Sequence, residues 1–139
     1  MQTESLNWKE FFTEGQNYFK KSSRWAANGK FSNDLIYNLV LMSIEKHFMA
    51  LLVKNGLLPD NHTISDLIEA VRKVKPLDKE LEKKLLDIET YQMICSFADY
   101  GRRTEEISDI TRVVSVGEEV KNMVEGELLF CSENQENTF

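Results

Sequence analysis

The chain has 139 residues, with 17 Lys and Arg against 23 Asp and Glu, a formal net charge of -6, and 42% hydrophobic residues. That is one domain's length of chain with enough apolar content for a core, which excludes wholesale disorder. The acidic balance also excludes a general DNA- or RNA-coating surface, because affinity for phosphate backbones comes largely from Lys and Arg displacing counterions.

Helical spacing dominates, and no strand-length alternation bounded by hairpin turns breaks it. Trp8, Phe11, Phe12, Gly15, Tyr18, Phe19, Ser22, Trp25 and Ala26 recur at steps of three and four. They paint one face of a helix from about Leu6 to Ala27, which Asn28-Gly29 ends as a left-handed cap. A face so rich in aromatics reads as core or subunit interface, and Gly15 and Ser22 on it let another backbone come close. A second helix, about Ser32 to Asn55, is apolar around most of its circumference and should be the central helix of a bundle, contacted on both sides.

Thr63 and Asp66 have capping-box spacing and open a short third helix carrying Ile64, Leu67, Ala70, Val71 and Val74, which Lys75-Pro76 stops. The fourth helix places Leu77, Leu81, Leu85, Ile88, Tyr91, Cys95 and Ala98 at heptad-like steps up to Gly101. The fifth opens at Thr104-Glu105-Glu106 and carries Ile107, Ile110, Val114, Val120, Val124 and Leu128. The expected fold is therefore all-α: a single up-and-down five-helix bundle over residues 1–131, one short helix between the second and fourth, and a polar, frayed tail over 132–139.

Met1 to Glu10 lacks the apolar core of a secretion signal. The apolar stretch Leu35 to Val53 is broken by Asn38, Ser43, Glu45, Lys46 and His47, so it reads as a buried helix rather than a membrane span. A cytoplasmic location, with Cys95 and Cys131 reduced, is the matching expectation. Neither cysteine belongs to a zinc pattern, neither histidine has a Glu three residues before it as a di-iron bundle needs, and no glycine-rich phosphate loop is present. No metal or other cofactor is expected.

The run Ile44-Glu45-Lys46-His47-Phe48-Met49-Ala50-Leu51-Leu52 resembles the second-helix signature of the HEPN domain, which reads Glu-Lys, two variable positions, a long residue, then Ala-Leu-Leu. Gly56, Pro59, His62, Ile64 and Leu67 stand where that family has a Gly- and Pro-containing turn, a His, an aliphatic residue and a Leu. Tyr91 to Arg103, with Tyr100-Gly101-Arg102-Arg103, takes the place of the family's late aromatic and Arg-containing turn, usually Arg-Tyr-Pro. The resemblance runs from about Phe31 to Thr104. It implies an all-α bundle, often a homodimer. Some members are metal-independent ribonucleases, and others partner or resemble the substrate-binding half of nucleotidyltransferases. The nuclease members carry an Arg followed four to six residues later by a His, pairing a phosphate-neutralising cation with a proton shuttle. Here no His follows His62, so that motif is missing.

Candidate ligand-binding residues are Glu45, Lys46, His62, Arg102 and Arg103, with no catalytic residue among them. His62, in a turn before a helix N-terminus, is placed to hold a ligand or proton, or simply to fasten the turn. Glu45 and Lys46 either face a substrate or join neighbouring helices. Arg102 and Arg103 form the compact basic spot of the chain, offset by Glu105 and Glu106. His47 shares a narrow polar strip with Ser43 and Lys54 and reads as a packed or solvated histidine. The expected function is a non-catalytic HEPN-like homodimeric binding module, for a nucleotide or a small nucleotidyltransferase, in a toxin-antitoxin-like setting. The alternatives are a divergent ribonuclease joining His62 or His47 to Arg102 or Arg103, and a purely structural interaction bundle.

Overall fold

The structure, a computed structural model, describes the backbone of residues 6–97 and 107–137 and the side chains of 6–89 and 110–129. It is an all-α bundle of α1 (Trp8–Asn28), α2 (Asn33–Lys54), α3 (Ile64–Arg72), α4 (Lys79–Phe97) and α5 (Ile107–Asn137). Helical backbone continues through most of the segment read as a polar tail. Gly101 to Glu106, and the side chains of Cys95 and Cys131, lie outside the described residues.

Local chemistry sets most helix ends. Asn7 caps α1 by accepting the Lys9 N–H at 2.9 Å, and Gly29, at φ 78°, closes it by donating to the Trp25 carbonyl. A left-handed residue there favours glycine, which has no Cβ to clash. Ser32 starts α2 by accepting from the Leu35 N–H at 3.3 Å. Thr63 Oγ1 accepts the Asp66 N–H at 3.2 Å, which caps α3, and donates its own proton to Asp66 Oδ2 at 2.9 Å. Asp78 accepts the Leu81 N–H at 3.1 Å, which starts α4 after Leu77 rather than at it.

α2 is the middle of the molecule. It packs against α1, α3 and α5, and Tyr37 sends its hydroxyl 2.5 Å to the Ile88 carbonyl of α4. By length and composition α2 is apolar enough to cross a bilayer, yet two thirds of that stretch is buried inside the bundle. Val40, Ile44, Phe48, Ala50 and Leu52 have no exposed surface. Leu67 and Val71 of α3, Leu81 and Leu85 of α4, and Val120, Val124 and Leu128 of α5 complete the core. On α5 the buried stripe also takes in Val113 and Val116, whereas Val114 is only half-buried. Salt bridges join the periphery: Arg72 to Glu82 between α3 and α4, Lys84 to Glu119 between α4 and α5, and Lys75 to Glu127 between the α3–α4 turn and α5.

Two glycines let α2 be gripped closely. A Cβ added at Gly15 would stand 2.9 Å from His47 Nδ1, and one at Gly117 would stand 2.9 Å from Val40 Cγ1. Gly15→Ala is therefore expected to lose about 1–3 kcal/mol, because the imidazole it meets is boxed in and cannot yield freely. Urea unfolding checks this, and an unchanged midpoint would show that α1 does not approach α2 this closely.

The expectation that α2 is covered on both sides holds for its C-terminal half alone. Leu35 is 49% exposed and Met42 is 39% exposed. α3 is only nine residues long and starts beyond the turn, so it reaches the far half of α2 and leaves this face of the near half open. The aromatic face of α1 is half-buried: Trp8, Phe11, Phe12 and Trp25 pack on the core, and Phe31 stacks on Trp25 at 4.0 Å.

Candidate functional site

Among the sequence-derived candidates, the fold brings Glu45 and His62 together. His62 Nδ1 lies 2.5 Å from Glu45 Oε2, tying the α2–α3 turn back onto α2. The pair stands at the rim of a groove of about 640 Å³ between α2, the start of α3 and α4. Leu41, Met42, Ile64 and Leu67 make its apolar floor, and Asn38, Thr63 and Glu89 join the pair around it.

Glu89 is a part of this site that sequence reasoning missed. Its carboxylate accepts the Ser65 hydroxyl at 2.5 Å and lies 3.5 Å from the Ser65 N–H. An acid from α4 thus occupies the positive end of α3, where an incoming anion would otherwise be favoured. With Glu45 also on the rim, the groove repels phosphate and suits an apolar or cationic surface.

Lys46, one residue on, faces α1 instead. Its ammonium lies 3.1 Å from Glu14 Oε1 and 5.3 Å from the centre of the Phe11 ring, so it ties α1 to α2 and does not enter the groove. Arg102 and Arg103 lie outside the described residues.

The polar strip of Ser43 and His47 turns inward, both residues being fully buried. Ser43 Oγ donates to the Gly15 carbonyl at 2.9 Å, and His47 Nδ1 lies 2.9 Å from the Ser43 carbonyl. Phe12 meets the ring edge-on at 5.8 Å. His47 Nε2 is 3.0 Å from Gln16 Oε1, and Gln16 Nε2 donates to Glu125 at 3.3 Å. The tautomer of the neutral ring decides whether it donates to the Ser43 carbonyl or to Gln16 Oε1, and the protonated ring donates to both. Burial lowers the His47 pKa from 6.5 to about 4, against a smaller raising effect of the Ser43 carbonyl. This histidine is a neutral packing group at pH 7.

Among the described residues no three His, Cys, Asp or Glu side chains gather as a metal site would need. His62 is bonded to a carboxylate, and His47 is sealed between α1 and α2. No family model matches the chain, and no curated protein and no solved structure shows significant similarity to it.

Proposed function

We propose that the chain is a non-catalytic helical binding module, HEPN-like in kind, that works through the open face of α2. The observation that supports this best is the acid-rimmed apolar groove in which His62 is matched with Glu45 instead of a cation. Metal-free RNA cleavage through a 2'-hydroxyl needs a proton carrier beside phosphate-neutralising charge. Here the rim charge has the opposite sign.

The occupant of the face is a second copy of the chain. Leu35, Asn38, Met42 and Glu45 fall at steps of three and four on one stripe of α2, with Leu41 beside them. An antiparallel crossing of two α2 helices centred near Asn38 sets Leu35 of one copy over Leu41 and Met42 of the other. The stripe is thus complementary to itself in apolar shape. The family resemblance adds a small nucleotidyltransferase as the kind of protein such a dimer would serve.

Incubation of the full chain with labelled RNA in chelator is expected to leave the RNA intact, with His62→Ala indistinguishable from the parent. Cleavage that His62→Ala abolishes would refute the reading.

A further inference from the structure

A second concavity, of about 450 Å³, lies between α1 and α5 and is lined by Gln16, Phe19, Lys20, Ser23, Arg24 and Lys121. Its charge is opposite to that of the chain. Residues 15–33 hold Lys20, Lys21, Arg24 and Lys30 and no Asp or Glu, although the whole chain carries -6. The helix dipole does not account for these cations, since none falls in the last turn of α1. Lys20 and Arg24 are like charges four residues apart, an arrangement that costs helix stability. Among the described residues neither has a carboxylate partner. Lys121 faces them from α5, 5.9 Å from the centre of the Phe19 ring, and has Glu125 at 3.7 Å. Glu125 is itself engaged by Gln16, and Gln16 is anchored at its other end to His47, so this wall of the concavity is fixed from behind.

We propose that this concavity binds the phosphate group of a small organic phosphate, with Arg24, Lys20 and Lys121 on the phosphoryl oxygens and Phe19 under the organic part. A guanidinium grips two phosphate oxygens at once, and the two ammonium groups add point charge from either side. The Ser23 hydroxyl supplies a further donor, and the volume lies within the usual range of small-ligand sites, about 300–1,000 Å³. The proposal is independent of the α2 face, which is acidic and on other elements.

Calorimetric titration of the full chain with phenyl phosphate tests it, with inorganic phosphate as a second titrant and sodium chloride at matched ionic strength as the blank. One saturable site is expected, with phenyl phosphate bound more tightly than inorganic phosphate. Lys20→Glu with Arg24→Glu should weaken it by about tenfold or more. Both positions are exposed, so the double variant should keep the parent's circular dichroism and melting curve. The neutral pair Lys20→Gln with Arg24→Gln should fall between. Charge reversal at the exposed Lys83 of α4 should change affinity by no more than about twofold. Heats equal to the chloride blank, or a folded double variant binding as the parent does, would overturn the site. Equal affinity for the two phosphates would overturn the role of Phe19.

Discussion

Phe48→Ala is expected to destabilise the protein by about 3–5 kcal/mol, the range for removing a large aromatic from a sealed core. Phe48 has no exposed surface and sits where α2 is enclosed. The cost combines lost transfer energy with a cavity that the rigid surroundings cannot fill. Against a total stability of about 5–15 kcal/mol for an ordinary domain, this is a large share. Leu129→Ala on α5, where the leucine is 47% exposed, is the control and should shift stability by no more than about 0.5 kcal/mol. Denaturant unfolding of both variants reads the contrast, and equal effects would mean that α2 is not the interior helix.

The second large effect is a loss of stability on mild acidification. His47 is held near pKa 4 in the folded chain and returns to about 6.5 when unfolded. Between these values the unfolded state binds the extra proton and the folded state does not, so stability falls as pH drops through 6.5 and levels off below 4. The full shift corresponds to about 3 kcal/mol. Carboxylates titrate in the lower part of this window too, so the informative quantity is the difference between the parent and His47→Gln. The parent should lose about 3 kcal/mol more than the variant on going from neutral to acid pH. Parallel curves would show that His47 is not buried as a neutral ring.

Features set by local chemistry were legible in the sequence. The stop at Asn28-Gly29 and the Thr63–Asp66 box depend on residues within one turn of each other, and α1 ends and α3 begins there; α3 itself ends at Arg72, ahead of the expected stop at Lys75-Pro76. Features set by register across the bundle were not. Whether Leu35 and Met42 are covered depends on how far the short α3 reaches along α2, which composition does not encode. Glu89 meets Ser65 from another helix, and Gln16 of α1 meets His47 while held in turn by Glu125 of α5, so no spacing rule links them. Val113 and Val116 escaped the stripe assigned to α5 because α5 approaches α2 at Gly117, where the absence of a side chain removes the apolar mark from the contact itself. Of the candidate site, Glu45 and His62 were identifiable as residues. Their pairing, the acidic rim and the separate orientation of Lys46 needed the fold.

α2 is an interior helix, and its open stripe is the contact surface proposed above. Light scattering of the full chain beside Met42→Glu tests this most directly. The account predicts twice the chain mass for the parent and a single, folded chain for the variant, because a carboxylate at that position would be buried against Leu35 of the second copy. A parent that has the mass of one chain at all concentrations, or a variant that remains a dimer, would contradict it.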